Sequence, residues 1–502
     1  MLIKTLYIKI FLLSTAVIEM SRLSSQEMVF ETKAQPKSRI MEKGNILPIV
    51  MKDKSSVLFF LDDMEIKCLA LNEGFQKTDE YNIYNSQSTY QTYNTLLGHS
   101  LIQNEYSLFL ANNKKNQFFV QSINLGQKTH SSQLLNLKLK KERYLESISH
   151  EGKFYLLTVK KSSSVLKIYE FIGSKLRTQK EFDFSRLPIS NGSYPDLYST
   201  LLRSTLNRQK LSITKIATKI PIPLEIASQK FKLYFFGNKI YLAFDNSLQN
   251  TKIINIDLNS YEYAFNVIMH KQLDNCKGLN TVSNSFLLDS ILFTVKSCRL
   301  GLHLRANNIN NNDIISEYSV NSNEEIQFKN GAIIQEGGTV IYTQGRDKEL
   351  DKTKQILRKI SNSKIGISAY ETNNKLILMI GGYKEVQQAT GGGMTFMPGV
   401  SIATPYGNVA APAAYSYNPM MFGYGGYKNT RAVYFKSILD KSNLKHIKNE
   451  SPVRTAFDKI KDFEKTKDIN NETLFRVGDS YIFGYYNKFK KTYALHKFLD
   501  DN

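Results

Sequence analysis

The chain repeats one pattern in different residues: an apolar run, a polar turn and a second apolar run. It reads Val57–Leu61, Asp62-Asp63, Met64–Leu71, and then Ser107–Ala111, Asn112–Asn116, Gln117–Gln121. It returns as Phe154–Val159, Lys160–Ser164, Val165–Phe171 and as Leu233–Phe236, Gly237–Lys239, Ile240–Phe244. Further apolar runs stand around Ile291–Val295, Thr339–Thr343, Lys375–Ile380 and Tyr481–Tyr485. Hairpins recurring every roughly 40–50 residues build radial or stacked β architectures, because one such unit cannot bury both of its faces alone. The expected fold is therefore all-β: a propeller-like ring of roughly six to eight antiparallel blades with short helical insertions.

Residues 26–55 are polar, with Pro36 and Pro48, and read as an extended lead-in to a single domain over 56–502. The clearest unit spans 231–258, where three strands follow in succession through Gly237-Asn238 and Asp245–Asn250. The stretch Pro195–Asn207 reads as a helical insertion capped by Ser193, with Leu197, Leu201, Leu202 and Leu206 on one face. A second helix is expected after Ser451-Pro452, with Phe457, Ile460 and Phe463 on its apolar face. The last hairpin, Tyr481–Tyr485 to Thr492–Phe498, is placed to close the ring beside the N-terminal strand.

One unit is unlike the others. Leu376–Ile380 runs into Gly381-Gly382-Tyr383, and its partner Ala432–Phe435 follows only after about 45 residues. A hydrophobic run ending in a double glycine, followed by an aromatic strand, resembles a kelch blade. The resemblance covers this unit alone and lacks the tryptophan such blades carry; the whole chain has Trp 0 against Tyr 29 and Phe 29. It implies a propeller and an interaction scaffold, and it brings no functional residues with it.

Between those two strands lies Gln387–Lys428, rich in glycine and proline and without charge until Lys428, in a chain that is 22% charged. Glycine and proline at that density prevent a regular strand or helix. The segment displays Tyr415, Tyr417, Met420, Met421, Phe422 and Tyr424, the large side chains that dominate contact energies. The alternatives are a contact loop for a protein, glycan or membrane surface and an inert low-complexity insertion.

The N-terminus reads as an export signal over residues 1–25. Lys4 supplies the basic end, Ile10–Ile18 the apolar stretch, and Ser24-Ser25 the small residues before Gln26. An uncleaved anchor is the alternative, which Lys9 disfavours. Of the three cysteines, Cys276 and Cys298 flank the strands of one unit and can form a disulfide if their Cα atoms come within about 7 Å. Buried free thiols are the alternative for that pair, and for Cys68, beside Ile66 and Ala70, a buried thiol is preferred. No C-x-x-C spacing or adjacent histidine pair suggests a metal.

The formal net charge is +21, from 66 basic and 45 acidic residues. The lysines stand in hairpin turns along the whole chain, as in Lys114-Lys115, Lys160-Lys161 and Lys490-Lys491. Solvated blade edges account for such a distribution, and lysine there suppresses edge-to-edge pairing. No RNP-like aromatic cluster, zinc finger or helix-turn-helix pattern points to a specific nucleic acid.

The chain carries no H-E-x-x-H, phosphate-binding loop, G-x-S-x-G or EF-hand loop. The seven histidines (His99, His130, His150, His270, His303, His446, His496) are isolated. No catalytic residue, cofactor or metal site is assigned, although a glycosidase needs only two carboxylates close in space. Asp245, just past a strong central strand, is the first carboxylate to inspect. The expected function is an exported, non-catalytic binding or scaffolding module of a bacterial cell envelope, periplasmic, outer-membrane-associated or extracellular. A secreted propeller enzyme acting on polysaccharide or peptide is the alternative. Strands as short and as apolar on both faces as Leu58-Phe59-Phe60-Leu61 disfavour an outer-membrane barrel.

Overall fold

The computed structural model describes residues 26–33, 46–62, 65–84, 87–189, 194–205, 208–217, 220–337, 348–372, 374–385, 430–451, 454–465 and 469–500. These build seven sheets of four or five strands, antiparallel throughout except for a two-residue parallel bridge, Thr214–Lys215, on the fourth. The fold is all-β and propeller-like. Blades one to five occupy 46–84, 95–135, 142–183, 231–269 and 282–321 in simple meander order.

The last two blades are assembled differently. Blade six takes its first three strands from Lys364–Thr372, Lys375–Glu385 and Thr430–Asp440. Its outer two, Asn330–Gly337 and Lys348–Leu350, come from the chain before them. Blade seven runs Ile469–Val477, Ser480–Asn487 and Thr492–Phe498, and its outer strand is Gln26–Lys33.

The residue pattern explains why the sheets stack. In Ser56–Leu61 every residue is buried, although a strand presents its side chains to two faces alternately. Phe59 packs with Tyr106 and Leu108 of blade two, whereas Leu58 and Phe60 pack with Ile482, Tyr493 and Leu495 of blade seven. The Phe60 and Tyr493 rings meet edge to face at 5.0 Å. Outer strands look different: Thr129–Leu135 is exposed at all but its last residue. Inner strands of neighbouring blades run side by side, with Ser147 Oγ donating to Leu97 O and Ser149 Oγ accepting from His99 N, both at 2.8 Å.

This arrangement gives the ring two rims. On one stand the turns joining inner to second and third to outer strands, in mutual contact through His150 and Asn238 at 2.7 Å. On the other stand the second-to-third turns and the connectors between blades, as where Lys161 N donates to Lys141 O at 2.8 Å. We call the latter the connector rim.

Several expectations are corrected. Residues 26–55 are no mere lead-in, since they hold the closing strand and the inner strand Ile46–Val50 of blade one. The expected helix over Pro195–Asn207 is a five-residue helix, Leu197–Leu201, whose cap is Asp196, its carboxylate accepting from Ser199 N at 2.7 Å. From Leu202 the chain pairs instead as a two-stranded ribbon with Arg208–Leu211, so Leu202 lies on a strand. The unit around 332–343 is no separate blade but the outer edge of blade six; Thr339–Thr343, Ser193 and Leu206 lie outside the described residues. The helix after Ser451-Pro452 spans Ala456–Lys465 and buries Phe457, Ile460 and Phe463. Thr455 opens it as a reciprocal cap, donating to Asp458 Oδ2 while its Oγ1 accepts from Asp458 N.

The double glycine has a steric cause. A Cβ on Gly381 would collide with the backbone of Val433 and Tyr434 on the next strand, and one on Gly382 would lie 3.0 Å from Ser363 Cβ and 3.2 Å from Ile360 Cα. Gly381→Ala is therefore expected to destabilise the protein by about 1–3 kcal/mol, as over-packing does. Gly74→Ala, whose Cβ would meet only Asn72 Oδ1 at 3.5 Å, is expected to be near neutral. Denaturant unfolding of both variants checks this, and equal midpoints would remove the steric explanation.

Candidate functional site

Of the residues singled out from the sequence, Tyr415, Tyr417, Met420, Met421, Phe422 and Tyr424 lie outside the described residues, as does the whole of Gln387–Lys428. The strands that flank the segment are described. Ile380 pairs with Phe435 and Glu385 with Thr430, so the segment leaves and re-enters at the second-to-third position of blade six, on the connector rim. Cys276 and Cys298 form a disulfide with Cα atoms 6.0 Å apart, tying a connector to the second-to-third edge of blade five. Cys68 is a buried free thiol, which burial pushes up to about 12.

Asp245 is the centre of a buried polar cluster. It follows the second strand of blade four, where the turn to Asn250–Asp257 begins. Its carboxylate accepts from Lys232 Nζ at 2.5 Å, Thr251 Oγ1 at 2.6 Å and Ser285 Oγ at 3.0 Å. Lys232 also donates to Asn284 Oδ1 at 2.6 Å, so the cluster joins blades four and five. Burial alone would raise the Asp245 carboxyl; the Lys232 charge and these hydrogen bonds outweigh it and hold it down to about 2. Burial pulls Lys232 the other way, below its ordinary value. We take both as charged, because the carboxylate holds the closest of the ammonium's contacts.

His270 Nε2 lies 2.9 Å from Thr251 Oγ1. Thr251 has one hydroxyl proton and spends it on Asp245, so His270 must be the donor to Thr251. That order is wrong for activating a nucleophile, which needs the hydroxyl to donate to the imidazole. Lys232 and Thr251 have no exposure and Asp245 only 1%. The cluster is a structural tie without access for a substrate.

A pair of carboxyls elsewhere is closer to chemistry. Glu464, near the end of Ala456–Lys465, faces Glu472, which sits where the pairing of Ile469–Val477 slips between Asn470 and Thr473. Burial, then the neighbouring Glu472, pushes the Glu464 carboxyl up to about 9, and burial raises Glu472 as well. Two carboxyls in this relation share a proton. Lys461, the nearest cation, is taken up by Glu336 at 2.7 Å, which also accepts from the Tyr434 hydroxyl. Nothing in the sequence marks Glu464 and Glu472 as neighbours.

The charge is sorted between the rims, which corrects the reading of evenly decorated turns. The turns of the first rim carry Asp53, Glu73, Glu151, Glu262, Asp289, Asp313 and Asp479 against Lys52, Lys54, Lys128 and, after the third strand of blade six, Lys441 and Lys445. On the connector rim the turns carry Lys114, Lys115, Lys161, Arg299, Lys488, Lys490 and Lys491, and the acids there, Asp62 and Asp245, are buried. On the connectors Lys138, Lys140, Lys141, Arg186, Lys271 and Lys277 are exposed, against Asp274, Glu324 and Glu325. The three lysine pairs noted in the sequence all belong to this rim. Sorting each turn by its place in the hairpin unit was the signal that would have shown it.

Among the described residues no group of three or more His, Cys, Asp or Glu is arranged for a metal, and no helix is long and apolar enough to cross a membrane. No family model and no curated protein matches the chain. Among solved structures it is similar to the Dos1 propeller, with a TM-score of 0.29 and 9% identity over 66% of this chain and 65% of that one. It is also similar to the AfRom2 CNH domain, with a TM-score of 0.31 and 6% identity over 95% of this chain and 100% of that one. A bifunctional GH43-CE protein of Bacteroides eggerthii has a TM-score of 0.24 and 10% identity over 56% and 35%. The chain spans less than two thirds of the Dos1 and GH43-CE structures. At these scores no residue role carries across.

Two stability effects follow from the buried charges. Asp245→Asn leaves Lys232 without its counter-charge, and a loss of about 3–5 kcal/mol is expected at neutral pH, with partial recovery in the D245N/K232M double variant. Because the folded value is depressed from 3.8 to about 2, this contribution is complete above about 4 and lost only as pH falls toward 2. Glu464 has the opposite sign. Its raised value means stability present at acidic pH and lost as pH rises from 4.5 toward 9. Glu464→Gln should therefore stabilise by about 1–2 kcal/mol near pH 8 and change little at pH 4.5, read by thermal melts across that range.

Proposed function

We propose that the protein is an exported, non-catalytic binding or scaffolding propeller of the bacterial cell envelope. The observation that carries the reading is the division of charge between the two rims. Solvated edges alone would mix both signs on both rims, as the first rim does, whereas a surface that meets a partner concentrates one sign, as the predominantly positive connector rim does. The polar groups gathered inside the ring at Asp245 are consumed by one another, which favours binding over catalysis there.

Export rests on the apolar N-terminal stretch and is in keeping with the Cys276–Cys298 disulfide, since such bonds persist in oxidising compartments. Cleavage after Ser25 would also spare the closing strand, whose first paired residue is Gln26. Gln387–Lys428 is the proposed contact loop, with Tyr415, Tyr417, Met420, Met421, Phe422 and Tyr424 as its anchors; the kelch-like blade that carries it suits a scaffold.

The second reading, an enzyme of polysaccharide or peptide, is favoured by the Glu464–Glu472 pair alone. Affinity capture from envelope fractions separates the two. The mature chain is expected to start near Gln26 and to bring down a partner, and deletion of 387–428 is expected to abolish that association with little change in melting temperature. Intact Met1 on cytosolic protein overturns export. Turnover of a glycan or peptide panel that Glu464→Gln abolishes establishes the enzyme instead.

A further inference from the structure

Most exposed apolar side chains of a propeller lie on its outer strands, where single ones need no explanation. In this chain a smaller set stands off the strands, at the tips of turns and connectors. Leu248, Leu300 and Phe489 are 48%, 40% and 84% exposed, and Tyr194 on a connector is 48% exposed. All four belong to the connector rim; among the described residues the only such residue on the opposite side is Leu499, beyond the last strand. Leu248, Leu300 and Phe489 are tips of the second-to-third turns of blades four, five and seven. They are therefore spread around the ring, as three points that rest on a plane would be.

Each of these tips is accompanied by positive charge. Phe489 is framed by the exposed Lys488, Lys490 and Lys491, and Leu300 follows the exposed Arg299, with the exposed Glu324 and Glu325 on the connector whose Ser322 N donates to Leu300 O. Lys271 and Lys277 stand on the connector that leaves blade four. Lys114 and Lys161 extend the same rim over blades two and three. An aromatic ring 84% exposed in a lysine-rich hairpin is costly in water, and its cost falls when it enters an apolar layer while the lysines stay at a charged boundary.

We infer that the connector rim docks on an anionic phospholipid surface, its lysines against the headgroups and Phe489, Leu300 and Leu248 in the boundary beneath them. This deepens the proposed role as an envelope binding module and rests on it for location only. A bilayer fits better than a nucleic acid. The exposed cations are mostly lysines, with Arg186 and Arg299 beside them, whereas planar, bidentate phosphate recognition in nucleic acids favours arginine. Leucine tips also gain nothing from a phosphate backbone, while a bilayer boundary takes up apolar and basic side chains together.

The test is sedimentation of the mature chain with phosphatidylcholine vesicles, with and without phosphatidylglycerol. Binding is expected only to the anionic vesicles and is expected to weaken strongly as salt rises from about 0.05 to about 0.5 M. Replacing Lys488, Lys490 and Lys491 together by Ser should weaken it at least about tenfold. Phe489→Ala should weaken it while leaving the salt dependence in place. A charge-matched control on the opposite rim, K52S/K128S/K239S, should bind as the parent does. All variants are compared at unchanged melting temperature, and the tip residues are exposed enough that folding should tolerate them.

Equal binding to neutral vesicles, equal loss in the control, or no loss on removing the three tip lysines overturns the inference. So does tighter binding to duplex DNA than to anionic vesicles. A vesicle failure alongside recovery of a protein partner leaves the scaffold reading standing, whereas cytosolic protein with intact Met1 removes the scaffold's location and leaves the vesicle result untouched.

Discussion

Sheets whose strands are apolar on both faces are buried only when every one of them has two neighbours, and in this chain that condition depends on the pairing of its two ends. Gln26–Lys33 completes blade seven against Thr492–Phe498, with Thr492 Oγ1 donating to Glu31 Oε1 at 2.7 Å across 461 residues. The pairing places Phe30 and Val29 against the cluster that holds Phe60 and Tyr493. Without it Thr492–Phe498 would become an open edge, with unpaired backbone groups ready to recruit another chain. Blade six uses the same device on a smaller scale, taking its outer strands from chain that precedes its inner one. Such interlocking ties neighbouring parts of the ring together so that no blade is free to detach.

Between blades the contacts are not uniformly apolar. Blades one and seven meet through rings and aliphatic chains, whereas blades four and five are joined by Lys232, Asp245, Asn284 and Ser285. A buried ion pair contributes little net stability over a well-packed apolar pair, and its attested value is in specifying one register. Lys232 reaches both Asp245 and Asn284 only when the two inner strands are aligned as they are, so a slipped neighbour would leave a bare charge. The absence of tryptophan fits this picture, because polar ties and phenylalanine contacts, such as Phe109 on Phe154 at 4.0 Å, take the place of large indole anchors.

The division of charge gives the ring a direction. Inner strands run parallel around it, so each second-to-third turn falls on the same side, and a bias in those turns adds up where a random placement would cancel. The strand ends Glu385 and Thr430, which flank Gln387–Lys428, lie on that same side. The predominantly positive connector rim thus faces one way, while the turns that mix acids and lysines face the other.

What the sequence by itself determined was local. Alternating and doubly apolar runs such as Leu58–Leu61 specify strands, the turn residues between them specify hairpins, and Thr455 with Asp458 starts the helix whose apolar face was legible in Phe457, Ile460 and Phe463. The error at Pro195–Asn207 came from the same local logic, because Leu202 suits a helix face as well as a strand and only its pairing with Leu211 decides between them. The tertiary structure alone decided which blade neighbours which end of the chain, that Lys232 meets Asp245 and Asn284, and that Glu464 faces Glu472. These are relations between residues far apart along the chain or on different elements, and backbone chemistry imprints only the near ones, whose geometry is fixed before the ring closes.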